Sequence, residues 1–333
     1  MSLFSRTTTT SSFSLSTFSL YSLEPPRFRP SASPTPAAPL TTSTASPERV
    51  ACPSPVPESH QPSASRILTQ QWSAPLPTPT FPSFSTSPTT LSQAIASNRS
   101  NALRWLYHHV VPFYPRAKIA TISVGSDVLD NSSDLSDFLL PAIRNVHLAL
   151  RDIGIRKISV STTFSFINVM TTWFPPSGAE FQQPVCDLVL KPLLQFLDDT
   201  NSSFLINLYP YNVYRLNSEI PIGYALFQEH PFNFRDDLTT GVRYRNLFDM
   251  MVDAVISAMA VAGHENIPVI VTETGWPSSG EASEVDATAV YAEMYIKGLV
   301  SHLKSGLGTP LRKEGVAETY IYELFDKDTK QGT

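Results

Sequence analysis

The chain has 333 residues, 42% hydrophobic and 16% charged, with a formal net charge of -5. A pI near 5.8 leaves no basic surplus for a phosphate backbone, so nucleic acid is not an expected partner. Two cysteines, Cys52 and Cys186, are too few for a disulfide scaffold or a structural zinc site, and no apolar run is long enough for a membrane-spanning helix.

Residues 1–90 contain 35 Ser or Thr, 16 of the 29 Pro, and no Gly, Lys or Asp. Such a mixture buries too little apolar surface to offset the entropy of ordering it. The segment 1–90 is therefore expected to be low-complexity and disordered, or coding sequence read out of frame, and residues 91–333 to form the folded part. Within it, residues 1–23 carry Arg6 and no acid, which resembles a transit peptide in composition. The stretch Phe13 to Leu23 is too interrupted by Ser and Thr for a clean secretory signal.

From residue 91 the texture changes. Leu103 to Val111 reads as a helix ending before Pro112. Ile119 to Val128 is a β-branched run that predicts a buried strand. Phe138 to Ile153 is helical and stops near Gly154, a suitable cap. Lys157 to Phe164 alternates as a strand. Val185 to Leu197 predicts a helix, Phe204 to Tyr211 a strand closed by Pro210, and Tyr244 to Ala262 a long helix. Pro268 to Trp276 is a strand, Asp286 to Leu303 a helix and Glu318 to Phe325 a strand. The alternation predicts parallel α/β architecture. Periodicity alone leaves an open sheet and part of a barrel as alternatives.

Polar and aromatic residues gather at the carboxyl ends of these strands, where α/β folds place their chemistry. Ser126 and Asp127 follow the first, Tyr209 and Tyr211 the third, and Glu273 and Trp276 the fourth. Aromatic faces suit the C–H faces of sugar rings, and paired carboxylates supply acid/base and nucleophilic chemistry. Other constellations are bland. His108 and His109 are adjacent, unlike a helical metal pair, and no Gly-rich phosphate loop appears.

The segment Val271-Thr272-Glu273-Thr274-Gly275-Trp276-Pro277-Ser278 resembles the nucleophile strand of glycoside hydrolase family 17, the plant endo-1,3-β-glucanases, whose pattern is V-S/T-E-S/T-G-W-P-S. Supporting matches run in order along 91–333, among them Phe174-Pro175-Pro176-Ser177, Asn207-Leu208-Tyr209-Pro210-Tyr211 and Phe248-Asp249-Met250-Met251-Val252-Asp253. The resemblance implies a (β/α)8 TIM-type barrel with strands 4–8 recognisable and the first strands absent or scrambled. A half barrel of that kind would leave an unpaired edge at each end.

The resemblance also implies hydrolysis of internal 1,3-β-glucosidic bonds with retention, without cofactor or metal. A monomer acting on 1,3-β-glucan, with no obligate protein partner, in an extracellular or cell-wall location is the corresponding expectation. Glu273 matches the nucleophile. Asp127 stands where the family has its acid/base Glu, and Ser126 where it has Asn. Tyr209 matches a tyrosine beside the nucleophile. Tyr211 and Trp276 match residues of the sugar site, and Glu318 and Phe325 match the last-strand pattern. Asp is one methylene shorter than Glu, a retreat of about 1.5 Å, whereas retaining chemistry wants carboxyl groups about 5–5.5 Å apart. The departure keeps a second expectation open, a weakened or non-catalytic glucan-binding relative. A product that does not fold is the third.

Overall fold

The computed structural model describes residues 16–19, 88–116, 119–127 and 136–322. Strand β1 (Ser16–Ser19) is followed by helices α1 (Pro88–Ser97) and α2 (Arg99–His109). Then come β2 (Ile119–Ser126), α3 (Ser136–Asp152) and β3 (Ser159–Ser165). A short helix α4 (Phe166–Val169) leads into the hairpin of β4 (Met170–Thr172) and β5 (Glu180–Phe181). Helix α5 (Lys191–Asp199) precedes β6 (Phe204–Asn207). After β6 lie α6 (Pro210–Leu216), α7 (Ile222–Ala225) and a second hairpin, β7 (Arg235–Asp237) and β8 (Val242–Tyr244). The last elements are α8 (Leu247–Val261), β9 (Val269–Thr274), α9 (Ala289–Ser305) and β10 (Glu318–Ile321).

Among the described residues the main sheet has the order β1-β2-β3-β6-β9-β10. The pairs from β2 to β10 are all parallel, and β1 alone runs antiparallel, with Ser16 opposite Ser123 and Thr17 opposite Ile122. The edge of β2, expected to be open, is thus paired, by residues from the segment read as low-complexity. The five parallel strands are the five read from the sequence.

Alternation along each strand separates two faces. The outward face carries Ile122, Val124, Val160, Phe164, Phe204 and Ile206, all buried in the main core, with Phe164 stacked on Phe204 at 5.6 Å. The other face is hydroxylic. Thr121 and Ser159 share a hydrogen bond of 2.7 Å, and Ser123 and Thr163 one of 2.9 Å. Thr121, Ser123 and Thr163 are buried and Ser159 is half-buried, and each hydroxyl has a partner, as burial away from water demands.

Three boundaries differ from the sequence reading for local reasons. The strand from Phe204 ends at Asn207, and Pro210 opens α6 instead of closing a strand. Its fixed φ and missing N–H suit a first helical turn. The helix expected over 185–197 begins as a π-helical turn, Cys186–Leu190, with the Lys191 N–H reaching back to the Cys186 carbonyl. Pro192 cannot donate the next α-type bond, which favours the wider turn. The helix expected from Tyr244 starts at Leu247, because the Asn246 side chain caps it by accepting the Asp249 N–H at 2.8 Å.

Candidate active site

Two strand ends meet around a small polar cluster, and both strands carry one residue more than their neighbours just before it. On β2, Ser123 faces Ser161 while Ser126 faces Thr163, so three steps on β2 span two on β3. On β9, Val271 and Glu273 face the consecutive residues Ile206 and Asn207. The register of β10 agrees, since Thr319 and Ile321 face Val271 and Thr274. Such an extra residue re-aims the side chains that follow, and barrel rims use it at functional sites. It brings Thr272 and Glu273, neighbours in sequence, to the same side of β9.

The backbone around Asp127 is unusual. Gly125 has φ 85° and Asp127 has φ 50°. Asp tolerates this left-handed region better than most residues. The Asp127 N–H donates to the Thr163 carbonyl at 3.0 Å, and Ser123 Oγ donates to the Gly125 carbonyl at 2.9 Å, which holds the turn.

Asn207 links Asp127 to Thr272, the sequence neighbour of Glu273. Thr272 Oγ1 donates to Asn207 Oδ1 at 2.9 Å, and Asn207 Nδ2 donates to Asp127 Oδ2 at 3.3 Å. On the other side Tyr209 O–H donates to Glu273 Oε2 at 2.6 Å. Burial first, and the Glu273 carboxylate beside it second, push the Tyr209 phenol far above its ordinary range, so it remains a donor at any physiological pH. Asp127 and Tyr322 also act on that phenol, which makes Asp127, Tyr209, Glu273 and Tyr322 one electrostatic group.

The rest of the Glu273 segment is used for anchoring. Thr274 Oγ1 pairs with Tyr295 O–H of α9 at 2.6 Å. At Gly275 an added Cβ would run into the Tyr322 carbonyl, so only glycine lets the following strand come this close. Trp276 is buried, its Nε1–H donating to the Asp286 carbonyl at 2.8 Å. Its ring packs edge-on against Tyr211 at 5.0 Å and beside Tyr214 at 5.6 Å. Tyr214 O–H donates to Asp286 Oδ2 at 2.7 Å, and its phenol is pushed up to about 12 by burial and that carboxylate. Tyr211 O–H reaches Glu284 Oε1 at 3.3 Å, where Arg215 also binds. The loop after β9 is therefore fastened to α6, the helix that begins beside Tyr209.

Of the residues expected from the sequence, Asp127, Tyr209 and Glu273 come together. Ser126 ends β2 next to Asp127, and Tyr211 and Trp276 lie behind Tyr209 in the aromatic cluster. Glu318 does not join them. It faces Ile270, three residues before Glu273, about 10 Å down the strand, and accepts a hydrogen bond from Tyr320. Phe325 lies outside the described residues. Asn207, Tyr322 and Asp286 were not singled out. Asn207 ends a strand as the chosen residues do, so the same rule reaches it; nothing in the sequence marks Asp286. Among the described residues no group of His, Cys, Asp and Glu is arranged to hold a metal.

Residues 86–333 match the profile of glycosyl hydrolases family 17. The chain belongs to this family. It is 45% identical over 241 residues to glucan endo-1,3-beta-glucosidase 2 of Arabidopsis thaliana, covering 72% of this chain and 47% of that protein. Against glucan endo-1,3-beta-glucosidase 3 of the same plant the identity is 40% over 241 residues, 72% of this chain and 48% of the relative. The chain thus spans about half the length of the curated relatives it matches. A β-1,3-glucanase and allergen of Cryptomeria japonica pollen superposes with a TM-score of 0.66 at 40% identity, covering 71% of this chain and 72% of that one. A plant β-glucan endohydrolase gives 0.62 at 32% identity, covering 70% and 72%. Family and neighbours identify the parallel sheet as part of a TIM barrel. Its five parallel strands are a half barrel, with β1 along the outer edge of β2.

Proposed function

We propose that this chain hydrolyses internal 1,3-β-glucosidic bonds of 1,3-β-glucan with retention of configuration, and that residues 91–333 carry the activity. The observation that supports this most is the 2.6 Å contact of Tyr209 O–H with Glu273 Oε2, beside an Asn207 that touches Asp127. In this reading Glu273 attacks the anomeric carbon and forms a glycosyl-enzyme, with Tyr209 fixing one carboxylate oxygen so that the other faces the sugar. Asp127 protonates the departing oxygen and then takes the proton of the incoming water. Both acids end the cycle as they began it.

Tyr211 and Trp276 act from behind this pair. Their rings are buried, so they shape the wall of the groove through the loop they anchor. In this reading Ser126 takes the place of the family's Asn toward the sugar's 2-hydroxyl, with a shorter reach than an amide would have. Glu318, which faces Ile270, is assigned no step in this reading. An extracellular or cell-wall location belongs to the same reading; Asn98-Arg99-Ser100 and Asn201-Ser202-Ser203 are N-glycosylation sequons, and both asparagines are exposed.

Incubation of the purified chain with laminarin tests the reading. It predicts slow release of short 1,3-linked oligosaccharides and none from a 1,4-β-glucan. A chain that binds laminarin yet releases no reducing ends contradicts hydrolysis and leaves the non-catalytic binding role.

A further inference from the structure

A cleft of about 1310 Å³ among the described residues shares none of its lining with the acid pair. It lies between the 227–233 loop, the approach to α8, the C-terminal half of α9 and the turn over 307–313. Its floor is held by hydrogen bonds. His302 Nε2 lies 2.8 Å from Asp249 Oδ1, and Asn246 Nδ2 donates to Asp249 Oδ2 at 2.8 Å. Arg243, on one side, is engaged by Asp236 through two hydrogen bonds and sits 3.9 Å over the Phe234 ring.

Two other cations are not spent in this way. Arg245 and Lys313 line the cleft, are exposed, and form no ion pair or side-chain hydrogen bond among the described residues; Arg245 acts on Asp236 only through its field. The acids of the lining are Asp249, held by His302 and Asn246, and Glu229, exposed on the 227–233 loop. The lining also offers amide and hydroxyl groups, Gln228 and Ser301, and the Phe227 ring.

The walls are held in shape. Phe227 sits at φ 56°, a left-handed conformation that non-glycine residues adopt only when their surroundings impose it. Opposite it, a Cβ on Gly298 would stand 2.7 Å from the Phe227 Cβ, so a glycine there lets α9 pack this close. Gly308, at φ 66°, turns the chain so that Lys313 returns to the rim.

We propose that this cleft binds an acidic oligosaccharide, a chain of carboxylate-bearing sugars whose acids meet Arg245 and Lys313. Arginine matches a carboxylate with two parallel hydrogen bonds, and lysine adds a point charge. Room of this size exceeds the usual range of about 300–1,000 Å³ for small-ligand pockets, which favours several sugar units over one free oxyanion. The amide, hydroxyl and aromatic lining suits the polar rims and apolar faces of such units. The proposal goes beyond the glucan reading and stands without it, since no residue of the acid pair takes part.

Isothermal titration of the full chain with hexameric oligogalacturonate at low salt tests it. Saturable binding is expected, weakened about tenfold when Arg245 and Lys313 are both changed to alanine, and weakened further by added salt. Glu229→Gln, which removes the exposed acid of the lining, should tighten binding by about threefold, and this gain does not depend on damage to the fold. Neither set of changes touches the acid pair, so laminarin turnover should stay as it was. No binding, or equal binding by the alanine variant, overturns the proposal. Inorganic phosphate binding as tightly as the hexamer points to a free-oxyanion site and overturns the oligosaccharide. Neutral laminarihexaose competing equally at the cleft overturns the role of charge.

Discussion

Glu273→Gln lowers hydrolysis of 1,3-β-glucan by about 10³-fold or more, while laminarihexaose affinity stays within about threefold. An amide oxygen is too weak a nucleophile to displace a glycosidic oxygen, so the loss should fall on turnover. The change keeps the side chain's shape, and the Gln carbonyl can still accept the Tyr209 hydrogen bond made at 2.6 Å in the parent. The anchors on either side, Thr274 to Tyr295 and Trp276 to Asp286, are untouched. Initial rates on laminarin and a titration with laminarihexaose separate the two effects. Unchanged turnover would remove Glu273 from the reaction.

Restoring Ser126→Asn and Asp127→Glu together raises laminarin turnover by about 10²-fold, within the usual span of general acid effects. The added methylene returns the carboxyl by about 1.5 Å toward the leaving oxygen. The amide at 126 regains reach to the 2-hydroxyl. The backbone resists this gain in one respect. Residue 127 sits at φ 50°, where Asp is better tolerated than Glu, so the double variant should melt somewhat lower even as it works faster. Asn207 must also shift, because its Nδ2 now contacts the shorter carboxylate at 3.3 Å. The two changes share one site and should not add. An activated aryl glycoside needs little acid help, so its rate should rise less than that of laminarin. Equal stimulation of both substrates, or of neither, would show that residue 127 is not the acid position.

The parallel strands were legible as β-branched or alternating runs of the right length, and their polar ends marked the site. The segment around Glu273 was legible residue by residue, and the structure gives each residue a physical reason, from the Thr272 contact with Asn207 to the close approach at Gly275. Less could be read where structure depends on pairing at a distance. Strands β4, β5, β7 and β8 have three residues or fewer, too short to show a period, and exist through their partners. The extra residue in β2 and in β9 is invisible without the neighbouring strand's register. Glu318 shows the same limit from the other side. It matched the family's last-strand pattern, but pairing with Ile270 puts it at the end of β10 away from Glu273. The Asn207 bridge joins residues 80 positions apart, which no local pattern reports.

In the proposed reaction Glu273 becomes covalently bonded to the sugar. A 2-deoxy-2-fluoro laminaribioside with an activated leaving group tests it most directly. The fluorine slows breakdown of the intermediate, and the leaving group departs without help from Asp127, so the shortened acid does not obscure the result. Intact-mass measurement followed by peptide mapping should find one sugar equivalent on the peptide containing Glu273, and none on the Glu273→Gln chain. Label on a different carboxylate, or none on a chain that still hydrolyses laminarin, would contradict the account.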